Sequence, residues 1–286
     1  MSAIHGSPVS DAEARRLATI GDHLYQAENV LYCEGVTDPP YLFALLGQPA
    51  PVSTAQAVGN CLIVGLDSSH VSTGSTEVRE LVKVAQKHGY RKVWGVTDGD
   101  GRCFADLSDG LSTAKGNHVF TWPAYCIENL MVRAAWPSAW GAPPVWQHDL
   151  LQYAPYAALN LVRNSLHQDL KTLRLHQHSR PATPQTLMTH AQTLQLLQTN
   201  PQVFGNPTLD MRYSMAYAAV NSLIAVSEDE AHCVIDGKWI WQDLPFRKTG
   251  NSKSLNTYQD DWLEEIRMKG HSGVKTWWNN FTGQSL

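Results

Sequence analysis

The sequence predicts an α/β protein: a mostly parallel sheet flanked by helices, followed by a largely helical C-terminal region. Three observations lead there. Short apolar runs rich in β-preferring residues recur at Val30–Cys33, Cys61–Leu66, Lys92–Thr97 and His118–Trp122, each of strand length and bounded by turn-forming residues. Segments with apolar residues at helical spacing separate the first three runs, an order β-α-β-α-β that favours parallel strands joined by crossovers. Beyond the proline-rich stretch 137–144 the composition shifts to Leu, Gln and His at helical spacing with few acids, which marks a change of architecture.

The elements follow in order. Residues 1–9 read as a loose end. Asp11–Tyr25 carries Ala14, Leu17, Ile20 and Leu24 on one face, with Ser10 as cap, so it reads as an amphipathic helix whose Arg15 and Arg16 lie on a solvated face or reach phosphate. After the first strand, Gly35 permits a sharp turn. Asp38 suits an N-cap with Pro39 at the first helical position, and the helix stops at Gly47. Pro49 and Pro51 keep the next segment irregular. The second strand ends at Asp67. The hydroxyl-rich stretch 68–76 that follows can cap a helix or cradle phosphate, but lacks the Gly-Lys-Ser/Thr ending of a P-loop. Glu77–His88 is a helix closed by Gly89. Residues 103–116 read as a loop, and Glu128 opens a helix where its charge favours the N-terminal dipole.

In the C-terminal region two or three helices are expected over residues 147–200. Lys171–Arg180, with Arg174, His176 and His178, is mildly basic: a solvated helix face or a contact for nucleic acid or a partner. Met211–Val226 is apolar on most sides and predicts a buried helix. Asp236-Gly237-Lys238 reads as a turn, Arg247, Lys248 and Lys253 as a basic loop, Tyr258–Lys269 as an amphipathic helix, and Trp277-Trp278 as the packing face of a last helix.

Composition bounds the function. At 286 residues the chain can bury a substantial core. A net charge of −4 provides no global basic field for nucleic acid, so any such contact needs a local patch, a metal or a partner. The five Cys, at 33, 61, 103, 126 and 233, form no Cys-x-x-Cys pair. They read as reduced thiols of a cytoplasmic protein rather than a disulfide frame or zinc site. No basic leader with an apolar core and no bilayer-length apolar run is present, so no membrane role is expected. Most of the ten Trp are expected in the core or an interface.

The chemistry lies at strand ends. Glu34 follows the first strand at the start of Glu34-Gly-Val-Thr-Asp38, and the third runs into Asp98-Gly99-Asp100-Gly101. Two Asp one residue apart crowd charge into a tight turn, which a cation or proton relieves. Mg²⁺ commonly takes one or two carboxylates plus substrate phosphate. An Asp-Gly turn is the plain alternative for the second motif, and a solvating loop Glu for the first.

Taken together, Glu34-Gly-x-x-Asp38 and Asp98-x-Asp100-Gly over residues 24–132 resemble the TOPRIM fold of topoisomerases, primases and overcoming-lysogenization-defect nucleases. Tyr125-Cys-Ile-Glu128-Asn129 and the late Gly237-Lys238 pair are similar to motifs of the TOPRIM-related family that includes the AriB effector of the PARIS anti-phage system. The resemblance implies a Mg²⁺- or Mn²⁺-dependent nuclease with Glu34, Asp98 and Asp100 at the metal and Asp38, Glu128 and Lys238 in support. It further implies transfer RNA as the favoured target with DNA possible, a partner ABC-type ATPase, a toxic effector role in antiviral defence, and a homodimer when active. Arg102 stands where topoisomerases often have a third Asp, which leaves the number of metals open. Asp67 is a secondary carboxylate outside the main set. The expected division is a TOPRIM-like domain at 1–136 and a helical region at 145–286. Two other readings stay open: a different Mg²⁺-dependent phosphohydrolase using an aspartyl nucleophile, and a non-catalytic TOPRIM-shaped regulatory subunit.

Overall fold

The computed structural model describes residues 9–67, 70–72, 74–102, 111, 118–166, 187–199, 208–250, 255–283 and 286. Ser68, Ser69 and Thr73, the loop acids Asp106 and Asp109, the basic stretch Lys171–Arg180, and Lys253 lie outside the described residues. The chain divides into two compact units. The first takes the described residues of Met1–Asp98, Asp109–Trp122 and Ser272–Leu286, and the second those of Gly99–Ser108 and Pro123–His271. The division expected at 137–144 thus falls inside the second unit. That stretch instead holds a short 3-10 turn, Ser138–Trp140, whose Trp140 is buried.

The first unit is built on one five-stranded sheet. Its strands are β1 Asn29–Cys33, β2 Ala55–Val58, β3 Cys61–Gly65, β4 Val93–Thr97 and β5 Val119–Thr121, in the order β2-β3-β1-β4-β5. β3, β1, β4 and β5 are mutually parallel, and β2 pairs antiparallel with β3. β1 and β3 are buried almost throughout, as parallel strands covered on both faces must be. β2 was not expected. Its Ala55-Gln56-Ala57-Val58 is half exposed at the sheet edge, so no alternating or continuous apolar signal announces it.

Three helices precede β4. α1 (Asp11–Gln26) starts at Ser10, whose Oγ accepts from Glu13 N. α2 (Asp38–Leu46) ends at the left-handed Gly47. α3 spans Gly74–Lys87, three residues longer at its start than expected. Arg16 of α1 is not on a solvated face. It donates from Nε and Nη2 to the two carboxylate oxygens of the buried Glu77 on α3, at 2.8 and 2.6 Å. A buried carboxylate needs such a partner, and the pair clamps α1 onto α3. The last helix of the chain, α11 (Ser272–Thr282), belongs to this unit. Trp277 and Phe281 meet Phe120 of β5 edge-on at 5.1 and 5.4 Å.

The second unit is helical among its described residues: α4 Ile127–Ala134, α5 Ala154–Leu166, α6 His190–Thr199, α7 Leu209–Val226, α8 Glu228–Val234, α9 Gly237–Thr249 and α10 Leu255–Lys269. Its core is aromatic. Trp262 stacks on Trp241, meets Trp136 edge-on, and donates from Nε1 to Ala135 O at 2.6 Å. Arg247 and Lys248 do not form a basic loop. They sit in the last turn of α9, where Arg247 pairs with Asp243 and Lys248 with Asp149. α7 is not the buried helix its composition predicts: Met211, Met215 and Val226 are exposed.

Sheet order sets the place of the chemistry. The connection leaving β1 leads to β3 on one side, and the connection leaving β4 leads to β5 on the other. β1 and β4 are nonetheless neighbours. The crevice beyond their carboxyl ends is therefore the topological switch point, where open α/β sheets bind ligands.

Packing tests this arrangement. A Cβ on Gly65, at the end of β3, would lie 2.6 Å from Gly35 O and 2.9 Å from Val36 Cα, so backbone must move. Gly65→Ala is expected to destabilise the protein by about 1–3 kcal/mol. Gly21, mid-helix with nothing within 4 Å of its Cβ position, is expected to gain about 0.5–1 kcal/mol on change to Ala. Urea titration of the two variants beside the wild-type chain checks both signs.

Candidate functional site

At the switch point the backbone of β1 delivers Glu34 into the crevice, directly after the fully buried Cys33. Register carries the alignment past the strand ends. Cys33 is level with Gly65 of β3, and Tyr32 with Gly95 of β4. Glu34 is thus level with Leu66 on one side and Thr97 on the other, and Asp67 and Asp98 each lie one position further out. The carboxylate of Glu34 reaches across to β4: its Oε1 accepts from the backbone N–H of Asp98 at 2.9 Å. Residues 64 positions apart in sequence are joined at the one place where the topology opens the sheet.

Asp38 belongs to the same turn, though not as an N-cap. Thr37 occupies the cap position without a side-chain bond, and Asp38 is the first helical residue. Its Oδ2 accepts from Gly35 N at 3.1 Å while its own N–H donates to Gly35 O at 3.3 Å. The Asp thereby closes the loop that carries Glu34 instead of capping α2. Gly74 N, at the start of α3, donates to Glu34 O at 3.1 Å, which fixes the backbone from the other side. The convergence also registers on Cys33. Burial first, then the negative charges of Asp38, Glu34 and Asp98 among its neighbours, push this thiol well above its ordinary range. At the end of β3, Asp67 Oδ1 lies 3.2 Å from His70 Nδ1. The sequence reading missed His70, for which the Asp-x-x-His spacing was the available signal.

The second unit holds the other expected residues. Gly99 N and Asp100 N both donate to Tyr125 O, at 2.9 and 3.0 Å. Asp100 is exposed and takes a left-handed conformation with φ 54°, a region that Asp tolerates better than most residues. Glu128 lies in the first turn of α4 and is 4 % exposed, and its Oε2 has no hydrogen-bond partner. Burial raises its carboxyl from the ordinary value, and the nearby Lys238 ammonium opposes the shift. Desolvation therefore outweighs the helix dipole expected to favour its charge.

Lys238 is exposed in the first turn of α9, whose N-cap Asp236 accepts from Lys238 N at 2.9 Å. The segment read as a turn is therefore a helix start. Asn129 brings the two helix starts together. Its Oδ1 accepts from Cys126 N and Gly237 N, both at 3.1 Å, and its Nδ2 donates to Ile235 O at 3.0 Å. A Cβ on Gly237 would lie 2.5 Å from Asn129 N, so glycine is required there. Asn129 entered the sequence reading only as the last residue of the Tyr125–Asn129 motif, with no role assigned, and its neighbour His232, 3.1 Å away and buried, was not singled out. Partners some hundred positions apart leave no local signal.

The six expected site residues divide evenly: Glu34, Asp38 and Asp98 gather around one strand end, while Asp100, Glu128 and Lys238 belong to the second unit. Among the described residues, no three His, Cys, Asp or Glu side chains form a group that could hold a metal ion. Of the three expected metal carboxylates, Glu34 and Asp98 lie in the first unit and Asp100 in the second, where Gly99 N and Asp100 N donate to Tyr125 O. A pair, Glu34 and Asp98, remains at the switch point, which is the number of protein carboxylates that Mg²⁺ commonly takes beside substrate phosphate. Among the described residues no helix is long and apolar enough to cross a membrane. Compared with known proteins, the chain matches no family model, no curated protein and no solved structure.

The state of Glu128 has a measurable consequence. Its folded-state pKa lies above 4.5, so between pH 4.5 and that raised value the folded protein holds a proton that the unfolded chain releases. Stability falls as pH rises through this window. Glu128→Gln keeps the shape and removes the titration. Its melting temperature relative to wild type is expected to climb from pH 4.5 towards neutrality, checked by calorimetry in matched buffers.

Proposed function

We propose that the protein is a metal-dependent phosphodiesterase, a nuclease whose switch-point carboxylates Glu34 and Asp98 bind Mg²⁺ or Mn²⁺ together with a substrate phosphate. The observation that carries this reading is the 2.9 Å hydrogen bond from Asp98 N to Glu34 Oε1 across β1 and β4. It sets two acids from distant motifs in one crevice, at the end of the sheet where α/β folds bind ligands. The TOPRIM-like spacing of those motifs supports the same reading.

The residues would divide the work as follows. Glu34 and Asp98 supply oxygen ligands, and Glu34 is also placed to accept a proton from attacking water. Asp38 holds the Gly35 loop, so that the Glu34 carboxylate does not have to be ordered when substrate arrives. A bound Mg²⁺ would lower the pKa of that water and offset charge on the phosphoryl oxygens. Glu128 and Lys238, whose helix starts Asn129 joins in the second unit, are the supporting carboxyl and ammonium that the family resemblance implies. Asp100 remains a candidate ligand. In this reading the target is RNA, with transfer RNA favoured over DNA. The protein acts in the cytoplasm as the toxic effector of an anti-phage system and is restrained by an ABC-type ATPase.

The test is cleavage of total transfer RNA, plasmid and single-stranded DNA by the purified chain with Mg²⁺ or Mn²⁺, with and without an ATPase encoded beside it. Cleavage of RNA that stops on chelation is expected. Glu34→Gln keeps an acceptor for Asp98 N–H while removing the charge, so it is expected to fold normally and lose about 10²–10⁴-fold in rate. Undiminished cleavage by a well-folded Glu34→Gln would refute the reading.

A further inference from the structure

A cation of the first unit is anchored one residue from the carboxylate pair. Gly95 of β4 has no side chain, and a Cβ there would lie 2.4 Å from Val78 Cγ1 and 3.2 Å from Val82 Cγ2. α3 therefore lies close against β4, and the residue after Val78, Arg79, reaches the end of that strand. Its Nη2 donates to Thr97 Oγ1 at 3.4 Å. Thr97 is 1 % exposed, and its hydroxyl is itself held: it donates to Phe120 O at 3.4 Å and lies 3.5 Å from Thr121 Oγ1 of β5. Thr97 directly precedes Asp98 and is level with Glu34 on the neighbouring strand. Adjacent strands are about 4.8 Å apart, so an anion held by Arg79 lies at the same edge of the sheet as the two acids.

This anchor fixes a direction and leaves the charge unmet. Arg16, Lys83, Lys87 and Lys92 of the same unit each pair with a carboxylate. Arg79 meets a neutral hydroxyl instead, and among the described residues it forms no ion pair. One of its five N–H donors goes to Thr97. The residue is exposed, so the rest of the fork is open to a ligand. A planar guanidinium matches two oxygens of a phosphate, which a point charge does not. The packing of Val78 and Val82 on Gly95 already joins α3 to β4, so docking of the helix does not require the Arg79–Thr97 bond. The chain carries a net charge of −4 and has no general field for nucleic acid. A local cation at the crevice supplies the contact to backbone phosphate that such a chain otherwise lacks.

We propose that Arg79 is a phosphate-binding residue of the crevice, oriented by Thr97 and taking the non-bridging oxygens of a nucleic-acid phosphodiester beside Glu34 and Asp98. The identity of the ligand rests on the phosphodiesterase reading. The contact is to backbone and not to bases, so it carries no sequence preference. The test is fluorescence anisotropy of a labelled single-stranded RNA oligonucleotide with the full chain over a series of salt concentrations. Ca²⁺, which takes the same kind of oxygen ligands, replaces Mg²⁺, and cleavage in Mg²⁺ is followed in parallel. Arg79→Gln is expected to weaken binding about 10–100-fold and to lower the slope of log K against log salt by about 0.7. Its melting temperature stays close to that of the wild type, because the side chain is exposed. Arg79→Lys keeps the charge and the slope but loses the fork, and binds with an affinity between the two. Arg91→Gln, an exposed residue before the amino end of β4, leaves affinity and slope unchanged. Wild-type affinity for Arg79→Gln, a loss of affinity without a change of slope, or no RNA binding by the wild-type chain would each overturn the proposal. RNA bound through Arg79 but not cleaved in Mg²⁺ would leave the phosphate contact standing and sink the hydrolytic reading. Cleavage by Arg79→Gln with wild-type kcat and KM would do the reverse.

Discussion

The hydrogen bond from Asp98 N to Glu34 Oε1 is the constraint on which the site depends. Carboxylates gathered at the ends of parallel strands repel one another, and the half-buried setting of Glu34 and Asp98 removes part of the water that would screen them. A backbone N–H offsets part of that cost by donating to the charged form. The bond forms because β1 and β4 are adjacent although not consecutive, and their adjacency follows from the crossovers carried by α2 and α3. Gly65 belongs to the same arrangement: only glycine lets the Gly35–Pro39 loop lie against the end of β3. The tight turn that exposes Glu34 is therefore a consequence of sheet packing as much as of the loop's own sequence.

A different device organises the second unit. Asn129 joins the starts of α4 and α9 by donating and accepting on both sides of its amide. Every polar atom so engaged is buried, and leaving any of them unmet would cost more than the bond itself contributes. The consequence is chemical. Two helix N-termini, with their partial positive charge, are held together where Glu128 is buried and where Lys238 leaves for the surface. The carboxyl remains proton-rich because burial dominates, and the ammonium moderates that shift without cancelling it.

Legibility varied with how local the cause was. β1, β3 and β4 were legible because strands buried on both faces must be apolar along their length, and Val30–Cys33 and Cys61–Leu66 are. The glycine stops at Gly47 and Gly89 were legible because a left-handed residue after a helix favours glycine. β2 was not, since an edge strand of four half-exposed residues needs only the hydrogen bonds of its neighbour. α7 was misread because an apolar residue facing solvent and one facing a core look identical in sequence. At the site, Glu34 and Asp98 were legible as acids at strand ends. Asp38 was assigned the wrong task, since its residue type suits a cap and a loop clasp equally. The Asn129–His232 contact and the return of α11 to the sheet through Trp277 join parts of the chain remote in sequence, and no local pattern encodes them.

The central claim is that Glu34 and Asp98 act as one cation site. Crystals soaked in Mn²⁺, with anomalous scattering collected at the manganese edge, test it most directly. The account predicts a manganese peak in the crevice beyond β1 and β4, bonded to a Glu34 carboxylate oxygen and an Asp98 carboxylate oxygen at about 2.0–2.2 Å, and absent from crystals of Asp98→Asn. Ordered crystals that bind manganese elsewhere, or at the crevice without either carboxylate, would contradict it.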